Sequence, residues 1–338
     1  TYADDAAYSA GGYNYLGNTS CPQMTIAPSG YINGKWTGRV DTNWFNCGNW
    51  DTLVVPDATV DVQVGDNVFN RQAIVDATAP FASYYGNIAR TKNLTITGEK
   101  VEVTAAPTNV LQVHGNLVID APAGALDMDD SNAGTADGQL YLYGNWTNTM
   151  GNAAFEEGNG TVHFTGTTPQ IISSVTPAGT EVFYNVILNN NFNTAVSNDL
   201  IASNNLNVNA TRTLSVDAAG YVQVNNALTN NGTVVVEDNG QFIQINETDT
   251  NAGTYTGTAF QVKRNADNIR SLDYVFWGAP VENYDIANIS GTLRYYWDTT
   301  FINPNGTEGY WLNASGNMVK GRGYIVRAPS SFSTPQTL

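Results

Sequence analysis

Basic residues are scarce in this sequence. Its 338 residues include 14 lysines and arginines against 30 aspartates and glutamates, which gives a net charge of -16. Because nucleic-acid binding needs clustered positive charge that neutralises phosphates, this class of function is excluded. Between Val101 and Val262 the only basic residue is Arg212, whereas the same span contains fifteen acidic residues. The shortage of positive charge therefore belongs to the middle of the chain.

Histidine, cysteine and long apolar runs are also rare. The two histidines, His114 and His163, leave little for histidine-based catalysis or for a histidine metal site. No run approaches ~18 consecutive apolar residues, so no transmembrane segment is predicted. The two cysteines, Cys21 and Cys47, predict a disulfide formed in an oxidising compartment, and two buried free thiols are the alternative.

Composition divides the chain into five stretches. Residues 1–35 are small and polar with interspersed tyrosines, and they predict either an arm that docks through its tyrosines or a mobile terminus. Residues 36–92 predict an N-terminal cap and the first strands, and residues 93–258 an acidic, Asn-rich solenoid. Residues 259–330, where aromatic residues concentrate, predict a compact β domain. Residues 331–338 predict a linker to the C-terminal part of a longer protein.

The predicted cap contains a cluster of tryptophans. Trp36, Trp44 and Trp50 lie within fifteen residues of one another. Such a cluster forms either a platform on which sugar rings stack or the cap of a hydrophobic core, and we favour the core. The three tryptophans are also the candidate glycan-stacking residues.

Short alternating runs predict the fold of the middle of the chain. Apolar and polar residues alternate from about Asn93 to Glu247, which is the period of half-buried strands, and no long helical period interrupts them. A loose repeat places asparagine after such runs, at Asn116, Asn145, Asn205 and Asn226. Asparagine suits tight corners, and its side-chain amides form ladders between stacked strands.

We therefore predict an all-β fold, a parallel β-helix or β-solenoid with a Trp-rich N-terminal cap and a C-terminal β-sandwich-like domain. The competing architecture is a β-sandwich built from hairpins. The Asn-Gly pairs that mark two-residue hairpins are not spaced as a meander requires, which favours the solenoid.

One acidic stretch is a candidate metal site. Asp127, Asp129, Asp130 and Asp137 lie on a glycine-containing segment, and carboxylate oxygens are the ligands that calcium prefers. Their spacing does not match known calcium loops, so a solvated acidic loop is the favoured interpretation. Calcium is the one cofactor that the sequence suggests.

Catalytic groupings are not recognisable. Glu156 and Glu157 are adjacent, so on a strand they point to opposite faces and cannot form a facing carboxylate pair. Neither Ser-His-Asp nor Cys-His spacing is present. We therefore predict that the chain is not an enzyme.

Several motifs after Trp36 share a familiar pattern. They are WFNCGNW (44–50), VPDATVDV (55–62), GTVHFTG (160–166), FYNVIL (183–188), GTVVVEDNGQFIQ (232–244), LDYVFWGAP (272–280) and MVKGRGYIVRAP (318–329). Together they resemble large secreted proteins of Bacteroidota, especially of flavobacteria. That resemblance implies export by the type IX secretion system and display at the outer cell surface. Many such proteins are adhesins, some linked to gliding motility.

The expected function follows from these observations. We expect a non-catalytic, extracellular adhesin or structural module, such as a stalk or filament subunit, whose partners are cell-surface proteins, glycans or further copies of the chain. The alternative is an extracellular β-helix protein that binds or degrades polysaccharides.

Overall fold

The computed structural model describes residues 32–121, 125–128, 137–174, 180–194, 199–245, 255–257, 259–265, 269–279, 283–302 and 304–329. The chain divides into two compact units. The first contains Thr1–Val235 and Gly240–Phe260, and the second contains Val236–Asn239 and Gln261–Leu338. Most of the predicted tyrosine arm and the whole predicted linker lie outside the described residues. Within the described ranges, no helix has the length and apolarity needed to cross a membrane.

The first coils of the N-terminal unit contain short strands. They are β1 (Val62–Val64), β2 (Ala73–Val75), β3 (Ile88–Thr91), β4 (Leu94–Ile96), β5 (Val101–Val103), β6 (Val110–Val113), β7 (Leu117–Ile119), β8 (Leu126–Asp127), β9 (Gln139–Leu142), β10 (Trp146–Asn148), β11 (Phe155–Glu156) and β12 (Thr161–Phe164). Three 3-10 helices accompany them, Cys47–Asn49, Ala82–Tyr85 and Asn152–Ala154.

The later coils continue the same pattern of three strands per coil. Their strands are β13 (Ile172–Ser174), β14 (Thr180–Phe183), β15 (Asn185–Leu188), β16 (Phe192–Thr194), β17 (Asp199–Ala202), β18 (Leu206–Val208), β19 (Thr213–Val216), β20 (Tyr221–Val224), β21 (Leu228–Asn230), β22 (Thr233–Val236), β23 (Gln241–Gln244), β24 (Tyr255–Gly257) and β25 (Phe260–Val262).

These strands form the predicted parallel β-solenoid. Except between β11 and β14 and between β13 and β16, each of these strands pairs in parallel with the strand three further along the chain, so that every coil contributes one strand to each of three faces. On the third face the register joins Ala89 to Leu111, Leu111 to Leu140 and, in a later coil, Val186 to Leu206, so one coil takes between 20 and 29 residues. Parallel pairing throughout excludes the competing hairpin sandwich for this unit.

Alternation along the strands builds the core. In β4, β7 and β10 the first and third residues are buried while the middle residue is partly exposed. The parallel register stacks Leu94 on Leu117 and Leu117 on Trp146, so apolar side chains form continuous columns inside the coils. Each column buries a face that a single coil exposes, which is why neighbouring coils stabilise one another.

Asparagines form the predicted ladder at one corner. Asn93 Oδ1 accepts the backbone N–H of Asn116 at 2.7 Å, and Asn116 Oδ1 accepts that of Asn145 at 2.9 Å. In later coils amides also bond each other, since Asn226 Nδ2 donates to Asn204 Oδ1 at 3.0 Å. The repeat predicted that Asn226 aligns with Asn205, but the strand register aligns Asn226 with Asn204.

A seam divides two of the three faces. The third face is one eight-stranded sheet from β3 to β24. The first face is split between β13 and β16, where the isolated bridge between Gln170 and Phe192 makes the connection, and the second face is split between β11 and β14. Glu181 lies in β14, the first strand after the second-face break, and its side chain points into the core at 0% exposure.

The N-terminal cap covers the first coil. Lys35 forms a parallel bridge to Gln63 of β1, and Asn43 forms one to Ile74 of β2. The cap thereby pairs with the outer edges of both strands, which would otherwise expose unpaired backbone groups.

The C-terminal unit contains a four-stranded antiparallel sheet. Its strands are β26 (Tyr274–Trp277), β27 (Leu293–Ile302), β28 (Glu308–Asn313) and β29 (Tyr324–Arg327), in the order β26-β29-β27-β28, with a 3-10 helix at Ile286–Asn288. The buried side chains of Ile286, Ile289 and Met318 pack with Tyr324 and Val326 against one side of the sheet. Among the described residues this unit has a single small sheet in place of the predicted sandwich-like arrangement.

Candidate binding face of the C-terminal sheet

Strand register assigns the side chains of the C-terminal sheet to two faces. Val326 of β29 lies opposite Val275 of β26 and Arg294 of β27, and this face packs on the apolar core. Residues one position away point to the other side because side chains alternate along a strand. Ile325 therefore shares the second face with its partners Phe276 and Tyr295.

The second face is rich in exposed aromatic rings. Five of its side chains are aromatic, and we call this set the aromatic face: Tyr274, Phe276, Tyr295, Trp297 and Trp311. Phe276 is 77% exposed, Tyr274 46%, Trp297 43% and Trp311 37%. Exposed apolar patches of this kind mark interaction sites in soluble proteins, whereas single exposed apolar residues need no explanation.

Ring contacts hold the aromatic face together. The indoles of Trp297 and Trp311 lie on directly paired residues, with ring centroids 5.2 Å apart and planes at 70°. The rings of Tyr274 and Tyr295 are 6.4 Å apart at 46°. The contact of Trp297 with Trp311 is edge to face, a favourable arrangement that leaves ring surface of both indoles uncovered.

A glycine makes room for one indole. Gly309 has a φ of +88°, and a Cβ at this position would overlap the Trp297 ring. The absence of a side chain at Gly309 therefore lets the indole lie directly over strand β28.

Polar groups on this face are few. Asn313 lies opposite Tyr295, and Arg327 lies between Tyr274 and Leu293. The Nε of Arg327 donates a hydrogen bond to Thr292 Oγ1 at 3.3 Å. The aromatic face is therefore mainly apolar, with a small number of polar groups.

The three predicted stacking tryptophans lie elsewhere. Trp36 is 1% exposed, and Trp44 and Trp50 are 0% exposed. Their rings pack edge to face, with centroids of Trp36 and Trp44 lying 5.1 Å and 4.8 Å from that of Trp50. Because no ring surface reaches solvent, these tryptophans offer no platform to a sugar, and they fill the core of the cap.

The predicted calcium ligands are only partly described. Asp129 and Asp130 lie outside the described residues. Asp127 is bound by the Nζ of Lys100 at 2.5 Å, and Asp137 Oδ2 accepts the backbone N–H of Asn159 at 2.6 Å. No group of three or more His, Cys, Asp or Glu residues is placed to hold a metal ion in the part of the chain that the structure describes. Calcium binding stays a prediction.

Only one of the two cysteines, Cys47, lies among the described residues. Cys47 is 4% exposed and is not a free thiol. Cys21 lies outside the described residues, so the pairing of the two stays a prediction.

Both histidines stack on tyrosines along the outer side of the third face. The ring of His114 lies 4.7 Å from that of Tyr143 at 4°, and the ring of His163 lies 4.0 Å from that of Tyr141 at 9°. Burial lowers the pKa of His163 to about 4, so its ring is neutral near pH 7. Burial, together with the charge of Arg90, also lowers the pKa of His114. Parallel stacking covers the ring faces, so these columns contribute packing more than a binding surface.

Three carboxylates align on the outer side of the second face. The register places Glu102, Asp127 and Glu156 on consecutive strands. Lys100 lies among them, 2.5 Å from Asp127 and 3.6 Å from Glu102. Burial raises the pKa of Glu102, and the neighbouring charge of Asp127 adds to this while Lys100 opposes it. Asp127 is only 3% exposed, so a substrate cannot reach its carboxylate.

Sequence reasoning noted the concentration of aromatic residues in the C-terminal unit but did not predict an exposed face. Alternation along the strand separates the exposed aromatic residues from the buried ones, since Tyr274 and Phe276 are exposed whereas Trp277 packs on the core. Alternation defines two faces, and it does not say which of them other segments cover.

One comparison with known proteins gave a match, and this match includes the C-terminal sheet. A family model described as a domain of unknown function (DUF8693) matches residues 173–338, which include the coils from β14 onwards and the whole C-terminal sheet. A search of curated proteins and a search of solved structures found no match. Over residues 173–338 the chain is therefore similar to a domain family to which no activity is attached.

Proposed function

We propose that this chain is a non-catalytic attachment module of a secreted bacterial protein, of the adhesin or stalk type, displayed at the outer cell surface. The observation that carries the proposal is the aromatic face, where four rings are between 37% and 77% exposed on one side of a sheet. Large exposed rings on a rigid scaffold are the groups that dominate binding energies at interfaces.

The solenoid supports a structural role. Its coils are joined by parallel backbone pairing on three faces and by asparagine ladders at the corners. Such a stack is quasi-one-dimensional, because each coil contacts only its neighbours, and this suits a structural shaft.

Export and location rest on the sequence resemblance. Type IX secretion, an extracellular position and attachment to cell-surface proteins or glycans are parts of this proposal. Self-association through the tyrosine arm at residues 1–35 is a further part, tested by sizing chromatography of a chain that lacks residues 1–30. If the shortened chain assembles as the full chain does, self-association through the arm is contradicted, and the rest of the proposal is unaffected.

Catalysis is disfavoured by the accessibility of the carboxylates. Of the aligned acids, Glu102 and Asp127 form ion pairs with Lys100, and Asp127, the central member, is buried. Glycoside hydrolysis needs two carboxyl groups that both reach the scissile bond. Release of reducing sugars from any polysaccharide by the purified chain would contradict a non-catalytic function.

An attachment assay tests the proposal directly. The chain, displayed on a heterologous bacterial surface, is expected to increase retention of those cells on target cells and on glycan-coated glass. Trp297→Ala with Trp311→Ala should abolish the increase. Tyr84→Ala is the matched control, because Tyr84 is 63% exposed but lies in the solenoid unit. Equal retention by cells with and without the chain would contradict the proposal.

A further inference from the structure

We propose that the aromatic face binds an uncharged polysaccharide, with sugar rings packed against the indoles of Trp297 and Trp311. This inference rests on the proposed attachment function and names the chemical class of the ligand. Three properties of the aromatic face carry it: its ring chemistry, its size and its charge.

The ring chemistry matches a sugar. A pyranose has apolar C–H surfaces and a polar rim of hydroxyl groups. Indole and phenol rings offer apolar surface together with one N–H or O–H group each. They therefore pack on the C–H surfaces of the sugar and form hydrogen bonds with its hydroxyl groups. The aromatic face adds the exposed Asn313 amide beside these rings. Aliphatic side chains would give the same apolar area without the polar groups.

The aromatic face alone is too small to form a stable dimer interface with a second copy of this chain. Four strands about 4.8 Å apart make a sheet about 14 Å wide, and Leu293 to Trp297 extends for about 13 Å. The resulting area of roughly 200 Å² is well below the ~800 Å² that each partner buries in a stable protein complex. A short stretch of a polysaccharide chain covers such an area.

The charge of the aromatic face selects an uncharged polymer. Arg327 is the one charged side chain among the residues that share this face on β26, β29, β27 and β28. Its positive charge disfavours a cationic ligand. A single positive charge gives an extended polyanion one partner, so the other charges of the polyanion would lose water without a counter-charge. A neutral polysaccharide meets neither penalty.

Titration calorimetry with defined oligosaccharides tests the inference on the full chain. The probes are the uncharged hexasaccharides cellohexaose, maltohexaose, mannohexaose and xylohexaose, with polygalacturonate as the anionic polymer. We expect binding of at least one uncharged probe and a change in tryptophan fluorescence on binding. Trp297→Ala and Trp311→Ala should each weaken binding about tenfold or more, as expected for central aromatic contacts. Tyr84→Ala should leave it unchanged.

Gly309→Ala supplies a variant that keeps every ring. The added methyl group displaces the Trp297 indole, so binding should weaken although both tryptophans remain. Near-ultraviolet circular dichroism shows whether each variant is folded, and this variant also serves if Trp297→Ala does not fold. Unchanged affinity in folded Gly309→Ala and Trp311→Ala overturns the inference.

Two outcomes separate this inference from the attachment function. If the folded chain binds none of the uncharged probes, or binds polygalacturonate alone, the inference is wrong. If the tryptophan variants nevertheless lose attachment in the cell assay, the attachment function stands with a different ligand. If the tryptophan variants lose binding of the oligosaccharides but keep attachment, the inference stands and attachment does not depend on the aromatic face.

Discussion

Trp146 Nε1 donates a hydrogen bond of 3.0 Å to Glu181 Oε2 inside the solenoid core. Asn148 Nδ2 donates to the other carboxyl oxygen, Oε1, at 3.3 Å. Both donors lie on β10 of the first face, whereas Glu181 lies on β14 of the second face. Burial raises the pKa of Glu181 to about 7, against the lowering effect of these hydrogen bonds.

This carboxyl group makes the stability of the solenoid depend on pH. The pKa of Glu181 is about 7 in the folded chain and 4.5 as its unperturbed value. The folded chain therefore holds a proton that the unfolded chain releases between these values. The contribution of Glu181 to the free energy of unfolding is complete below pH 4.5. It is lost as the pH rises through 7, which lowers the free energy of unfolding by about 3 kcal/mol.

Urea denaturation between pH 4.5 and 8 measures this dependence. Glu181→Gln replaces the acid with a neutral group of similar shape, so the free energy of unfolding should change less with pH than in the wild type. An identical pH dependence in the two proteins would show that Glu181 is not the responsible group.

Corner residues should differ in their contribution to stability. Asn145 Oδ1 accepts the N–H of Ile171 at 2.9 Å, so Asn145→Ala should cost about 1 kcal/mol of unfolding free energy. A Cβ on Gly144 would overlap the backbone of Gly115, and Gly144→Ala should cost more, about 1–3 kcal/mol. Gly278→Ala is the control, because a Cβ there meets nothing within 4 Å. A Gly144→Ala variant as stable as the control would contradict this account.

The cap should depend on its central tryptophan. Trp50 packs on Trp36 and Trp44, and its Nε1 donates to the backbone carbonyl of Trp44 at 2.8 Å. Trp50→Ala should lower the free energy of unfolding by about 3–5 kcal/mol, the usual cost of removing a buried large aromatic side chain. Thermal denaturation compares it with Tyr84→Ala, which removes an exposed ring. Equal melting temperatures for the two variants would rule out a core role for Trp50.

The part of the solenoid between residues 101 and 262 should resist trypsin. Arg212 is the only basic residue between Lys100 and Lys263. Its side chain is exposed, but its N–H donates to Asn209 O at 3.1 Å and its carbonyl accepts from Thr233 N at 2.8 Å. Cleavage needs an extended and accessible backbone, so the bond after Arg212 should stay intact in the folded chain and be cut only after denaturation. Mass spectrometry of limited digests reads this out, and rapid native cleavage at Arg212 would refute it.

Alternation and asparagine content were sufficient to predict a parallel solenoid. The buried positions in strands such as β4 and β7 follow the apolar pattern, because period-two alternation directly encodes two faces. The corner ladder at Asn116 and Asn145 was also predictable, since a side chain that accepts a backbone N–H suits a repeated turn.

Strand boundaries were less predictable. The runs Leu111 to Ile119 and Leu140 to Trp146 look continuous in the sequence, yet each contains a corner. One run is divided between β6 and β7, and the other between β9 and β10. A Gly-Asn pair ends a strand only where it lies at a corner of the coil. The position of that corner depends on the contacts with neighbouring coils.

The sequence by itself determined the solenoid, its acidity and its asparagine corners, since these follow from local alternation and from residue type. Only the tertiary structure decided which aromatic residues meet solvent. The cap tryptophans are buried because segments around Lys35 and Asn43 pair with the first coil. Trp297 is exposed because Ile286, Ile289 and Met318 cover the opposite side of its sheet. Burial depends on which distant segments pack together, and no local pattern specifies that.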